Sequence, residues 1–276
     1  MSTKHVFDDA TGLVEKACLG VASTNPDLRF FAHHKVLYNA AHPRDKVAIL
    51  AGGGAGHEPA FSGLVGSGLV TVAVSGDVFA SPSSKQICSG VDLAPTDKGI
   101  VTIVLNYTGD CLNFGLASEK ARSAFHSEGK GRDIEMVNVG DDVSVGRSKG
   151  GLVGRRGLTG AAFTAKVLGA ASEKGDDVQK IAHLGRTMVK NFVTVGSSLD
   201  HCHVPGRSTD PKERGALSQS AVEIGMGIHN EPGAKHIENK PSGEDLIKEM
   251  LELLLREDDP ERSFVKFNKD DDPVLI

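Results

Sequence analysis

Four short apolar runs punctuate the first half of the chain, at Lys46–Leu50, Val70–Val74, Gly99–Leu105 and Ile134–Val139. They are rich in β-branched residues and nearly continuous in apolar character, and each is followed within a few positions by glycine. Strands of that kind are buried on both faces, which is the condition of a mainly parallel sheet covered by helices. Helical patterns at Asp9–Val21, ahead of the first run, and at Cys111–Ala121, after the third, supply the covering layers. The expected fold class is therefore α/β.

From Gly157 onward the texture changes. Gly160–Lys174 carries small and apolar residues at helical spacing and closes at Gly175, a suitable C′ glycine. Asp177–Lys190 repeats the helical pattern behind an acidic start, and Phe192–Val195 reads as a strand. Ser242–Arg256 is a third helix, with Ser242 and Asp245 spaced as a capping box. Ser263–Phe267 reads as a strand and Asn268–Asp272 as a turn. The closing Pro273–Ile276 is either a docked apolar tail or a further strand cut off at its start. The expected organisation is two α/β subdomains, 1–186 and 187–276, with mainly parallel or mixed sheets under helices and the second one incomplete.

Composition narrows the function. A net charge of −5 with no long basic run gives no electrostatic footprint for nucleic acid, and the absence of Trp removes its best stacking platform. No apolar run approaches the ~20 residues of a membrane span. Cys18, Cys88, Cys111 and Cys202 are scattered without a C-x-x-C pair, as expected of reduced thiols in a cytoplasmic protein. Glycine is the outlier, at 33 of 276 residues against a usual ~7%, and suits backbone that must approach a ligand closely.

The densest glycine cluster is Gly52–Pro59 (GGGAGHEP), directly after the first run. It lacks the third glycine of a dinucleotide fingerprint and the Gly-Lys-Ser/Thr of a P-loop. At the carboxyl edge of a parallel strand its backbone N–H groups, at Gly53, Gly54, Ala55 and Gly56, face the usual ligand crevice, with His57 beside them. The other reading is a tight turn with an incidental histidine. Asn106–Asp110 (NYTGD) ends the third run on the same edge, where Asp110 is either a general base toward a hydroxyl or the cap of the helix that follows. Gly225–Gly233 surrounds His229 with turn-forming residues, so its imidazole is either a rigidly presented functional group or a structural one. The triplet His201-Cys202-His203 lacks a partner cluster of zinc-like spacing, His33-His34 reads as surface, and Asp270–Asp272 reads as a solvated turn.

GGGAGHEP, GDVFASP (Gly76–Pro82), NYTGDCLNF (Asn106–Phe114), VGRRGLTG (Val153–Gly160) and GIHNEPG (Gly227–Gly233) stand in the order they have in the K domain of dihydroxyacetone (glycerone) kinases. The resemblance runs from about Phe7 to Ile276, and Gly196–Arg207 (GSSLDHCHVPGR) is most similar to the ATP-dependent, fungal-type branch. It implies that this chain binds dihydroxyacetone or glyceraldehyde for phosphorylation, while ATP and magnesium are held by a separate L domain, in cis or in trans. It further implies that His229 adds to the ketone carbon as a hemiaminal and that His57 hydrogen-bonds the substrate. Asp110 would take the proton of the hydroxyl that receives the phosphoryl group, and Gly54 would donate its backbone N–H. Family members commonly form homodimers. The chain departs from the family pattern at Leu105, where a lysine is usual, and in length, since the family's K domain continues past Ile276; Ala55 replaces a common serine. Those departures leave a rival reading, a non-catalytic binding or regulatory module related to the K domain.

Overall fold

The computed structural model describes residues 4–129, 131–151, 153–210, 212, 215–268, 270–271 and 273–274. Its centre is a six-stranded mixed sheet. The strands are β1 (Leu28–Phe31), β2 (Val36–Asn39), β3 (Ala48–Ala55), β4 (Val72–Val78), β5 (Ile100–Leu105) and β6 (Ile134–Val139), in the spatial order β1-β2-β4-β3-β5-β6. β4, β3, β5 and β6 pair in parallel, and β2 joins β4 antiparallel.

The four expected runs overlap β3, β4, β5 and β6, and burial is most complete on the central β3 and β5. All six residues of β5 are buried, as are six of the first seven of β3. On one side Ile49, Val101, Ile103 and Val137 meet Ala161, Ala165 and Leu168 of α5 (Gly160–Glu173) and Ile181 of α6 (Val178–Met188). On the other, Leu50, Val72 and Val104 meet Ile87 and Val91 of α2 (Ser84–Leu93) and Phe114 and Phe125 of α3 (Thr108–Glu128). Each fully buried aliphatic or aromatic side chain contributes roughly 1.5–3 kcal/mol, so this double packing fixes the sheet's carboxyl edge. α1 (Leu13–Ser23) covers a smaller cluster of Val14, Cys18 and Ala55.

A second, antiparallel sheet of three short strands lies later in the chain: β7 (Ser197–Ser198), β8 (Val222–Ile224) and β9 (Lys235–Ile237). The one-turn α4 (Arg147–Gly150) precedes α5, and α7 (Gly243–Leu255) follows β9. As expected, Ser242 Oγ caps α7 by accepting from the Asp245 N–H at 3.1 Å, and Gly175 ends α5 at a φ of 84°.

The structure corrects several local expectations. The first strand of the chain is β1, not the run at Lys46; β1 and β2 form an antiparallel edge hairpin. The third helix begins at Thr108, three residues before Cys111, and Tyr107 is its N-cap. Phe192–Val195 is not a strand; only Thr194 bridges the main sheet's flank, at Asp142. Ser263–Phe267 is irregular, held through its flanks: Arg147 stacks on Phe264, 4.4 Å from the ring centre, and donates to the Ser263 carbonyl. Leu275 and Ile276 of the closing run, and Lys269 and Asp272 of the expected turn, lie outside the described residues.

Candidate active site at the carboxyl edge of the sheet

The ends of β3 and β5 stand side by side in parallel, so the loops that leave them share one edge. The Gly-rich loop leaves β3 and must pass very close to its neighbour: a Cβ on Gly54 would come within 2.8 Å of the Ala80 backbone nitrogen. Only glycine admits that approach. Gly53 lies against Asp110, whose two carboxylate oxygens are 3.9 Å from where its Cβ would be.

His57 stacks on Phe79 with ring centres 4.8 Å apart and planes at 10°. Phe79 is itself held in left-handed backbone at a φ of 58°, an uncommon state for a bulky residue and one that clusters at functional sites. Across the crevice, His57 Nε2 lies 3.0 Å from His229 Nε2, although the two residues are 172 apart in sequence. The His229 ring meets Tyr107 edge-on at 5.0 Å and Phe79 at 5.2 Å. Tyr107 is anchored through its hydroxyl, which donates to the Gly157 carbonyl at 3.2 Å.

These groups close around a cavity of about 20 Å³ lined by Gly53, Gly54, His57, Leu105, Asp110 and His229, among others. That is room for about one water molecule. Asp110 sits in the first turn of α3, is 5% exposed, and its Oδ1 has no hydrogen-bond partner. Because the helix starts two residues earlier at Tyr107–Thr108, Asp110 is not its N-cap. Burial pushes the Asp110 carboxyl above the ordinary carboxylate range, only partly offset by Ser81 and the nearby His229. Burial, with the neighbouring His229, lowers His57 to about 4, so His57 is neutral near pH 7.

Not every expected residue reaches the cavity. Ala55 turns into the small cluster under α1, and Gly56, at a φ of 100°, donates its N–H to Glu58 at 3.2 Å. Leu105 reaches the cavity as the last residue of β5. Sequence reasoning passed over Phe79, Tyr107, Glu231 and Arg156. Glu231 carries the clearest missed signal, two residues from His229 in the same turn: its carboxylate is 3.2 Å from His229 Nδ1 and accepts the His229 backbone N–H at 2.9 Å.

A doubly covered, mainly parallel sheet with two histidines and a buried carboxylate at its carboxyl edge defines an α/β protein whose polar groups converge where ligands bind in such folds. The model of the Dak1 domain matches residues 19–276, and the chain belongs to that family. It is 43% identical over 286 residues to a dihydroxyacetone kinase of Pichia angusta, covering 100% of this chain and 46% of that protein. The dihydroxyacetone kinase of C. freundii, in its native form, superposes with a TM-score of 0.79 at 34% identity over 91% of this chain and 45% of its own. That enzyme has also been solved with AMP-PNP and Mg²⁺. A dihydroxyacetone kinase operon co-activator superposes at 0.76 with 30% identity, over 86% of this chain and 70% of its own. The chain thus spans about half the length of the kinases it matches.

Proposed function

We propose that this chain binds dihydroxyacetone, or a keto or aldehyde sugar as short as glyceraldehyde, covalently through His229 and presents its hydroxyl for phosphorylation. The observation that carries the reading is the meeting of His57, His229 and a buried, unpartnered Asp110 oxygen around one small cavity. The substrate carbonyl takes the place of the His57–His229 hydrogen bond, since the closed cavity has no room for three carbons. The His229 Nε2 lone pair adds to the carbonyl carbon, and the carbonyl π pair moves onto oxygen. The Nδ1 proton leaves by way of the Glu231 carboxylate to solvent and a solvent proton reaches the new alkoxide oxygen, so the hemiaminal forms without net proton uptake. His57 donates to the new hydroxyl and Gly54 offers its backbone N–H. Asp110, made more basic by burial, accepts the proton of the terminal hydroxyl as the phosphoryl group arrives.

Among the described residues no group of three or more His, Cys, Asp or Glu could hold a metal ion. The family resemblance, not that observation, assigns ATP and magnesium to an L domain, in cis or in trans, and this chain's part is to fix and deprotonate the acceptor. The reading places the protein in the cytoplasm, as its resemblance to the kinases implies. A second reading, a non-catalytic dihydroxyacetone-binding module, is favoured by one observation. Leu105, at the cavity wall, supplies no charge where the family pattern has a lysine.

The test is carbon-13 NMR with dihydroxyacetone labelled at its central carbon. A protein-bound tetrahedral signal, distinct from the free hydrate, is expected with the native chain, absent in His229→Ala and absent with glycerol. A bound but trigonal ketone at saturation would overturn covalent capture. Phosphorylation in the presence of an L domain then separates kinase component from binding module.

A further inference from the structure

His229 is useful as a nucleophile only in one of its two neutral tautomers, the one with the proton on Nδ1 and the lone pair on Nε2. We infer that Glu231 selects that tautomer, and that Arg156 and Gly227 are positioning residues that hold Glu231 in place to do so. The inference rests on the reading of His229 as nucleophile. An ionised carboxylate can only accept, so its contact with His229 Nδ1 at 3.2 Å requires a proton on that nitrogen. The neutral ring then has an acceptor at Nε2, and the neutral His57 satisfies it as a donor across 3.0 Å. The hydrogen bonds thus run in one direction, from His57 at the cavity through His229 to the Glu231 carboxylate.

Three features keep Glu231 in that role. Arg156 Nη1 lies 4.0 Å from the Glu231 carboxylate. The guanidinium is fixed elsewhere: it pairs with the fully buried Asp142 at 2.8 Å and donates to the Gly225 carbonyl at 2.9 Å. It therefore acts as a rigid positive strut between the main sheet's flank and the loop that carries His229. Gly227 supplies the space, because a Cβ there would run into both the Glu231 carboxylate and the Arg156 guanidinium. Burial alone would raise Glu231, but hydrogen bonds from the His229 ring and from the backbone of the turn outweigh it and bring the carboxyl down to about 2. The carboxylate is charged throughout the neutral range.

The experiment uses nitrogen-15 NMR of the histidine rings in the ligand-free full chain, followed by titration with dihydroxyacetone. In the native chain His229 should be the Nδ1–H tautomer. Glu231→Gln should leave a mixture of tautomers and weaken adduct formation by about 10–100-fold, by analogy with the loss when the hydrogen-bond partner of a metal-bound histidine is removed. Arg156→Met should shift both readouts in the same direction by a smaller factor. Arg156 also pairs with a buried aspartate, and its removal can unfold the chain. Gly227→Ala, which keeps every charge and displaces the Glu231 carboxylate together with the tip of the Arg156 guanidinium, then decides. A native His229 protonated on Nε2, or a Gly227→Ala chain with native tautomer and native adduct affinity, would overturn the inference. A native chain with the expected tautomer and no adduct would leave the inference standing and remove the covalent reading instead.

Discussion

The two sheets hold their share of the site in different ways. The six-stranded sheet fixes Asp110 by burial and holds the half-buried His57 on the loop that leaves it: β3 and β5 are covered on both faces, and Phe114, one turn beyond Asp110, is fully buried. The three-stranded sheet has strands of two and three residues, and α7 beside it has no buried residue and opens onto an apolar groove of about 990 Å³. His229 is placed there by polar tethers: the Glu231 carboxylate, the Arg156 strut, and a reciprocal pair in which Asn230 Oδ1 accepts the Cys202 N–H at 2.8 Å while Asn230 Nδ2 donates to the Cys202 carbonyl at 3.1 Å. The difference teaches that the proposed base and the proposed nucleophile depend on different forces. Packing aims Asp110; directional hydrogen bonds aim His229.

That contrast is broken most forcefully in the core. Phe114→Ala should cost about 3–5 kcal/mol in urea unfolding, the range for emptying a packed aromatic site. Leu251→Ala on the half-buried α7 should cost about 1 kcal/mol or less. Equal costs would mean that the two regions are packed alike.

Asp110→Asn sharpens it next. In the presence of an L domain, phosphorylation should fall by about 10²–10⁴-fold, the usual contribution of a positioned base. The same change should raise stability near neutral pH by about 1 kcal/mol, because it removes a buried charge that has an unpartnered oxygen. Near-normal turnover would return Asp110 to a structural role.

Acid gives a smaller effect. His57 titrates near 6.5 when unfolded but at about 4 in the fold, so the unfolded chain binds more protons between those values. Stability is complete above about pH 6.5 and is lost as pH falls toward 4. The loss is on the order of 2 kcal/mol after discounting for partial exposure. Thermal melts of the native chain and His57→Gln across that window should converge at low pH; parallel curves would contradict the half-buried, neutral His57. The mildest change is Asn230→Ala, which removes the Cys202 tether at a left-handed position (φ 64°). It should cost about 1 kcal/mol and weaken adduct formation a few-fold, with core stability markers unchanged.

The same contrast explains what the sequence made legible. β3, β4 and β5 could be read from continuous β-branched runs because both of their faces are largely buried, and β6 from the apolar Ile134, Val137 and Val139 that it buries at the sheet's edge. β1 and β2 could not, since each has four residues and β1 alternates between buried and exposed positions at the sheet's edge. Phe192–Val195 has a strand's composition, but its side chains line the groove between α5 and α7 and find no ladder partner beyond the one bridge at Thr194. His57, Asp110 and His229 stood out because each sits in a glycine-rich motif. Arg156 and Asp142 did not, because their importance comes from a pairing made only in three dimensions.

The central claim is a covalent bond between one ring nitrogen and one carbon, and scalar coupling reads that bond directly. The chain should be labelled with nitrogen-15 in its histidines and saturated with dihydroxyacetone labelled with carbon-13 at its central carbon. A one-bond carbon–nitrogen coupling between that carbon and Nε2 of His229, lost in His229→Ala, is the predicted result. A bound dihydroxyacetone whose central carbon shows no coupling to any histidine nitrogen would contradict the account.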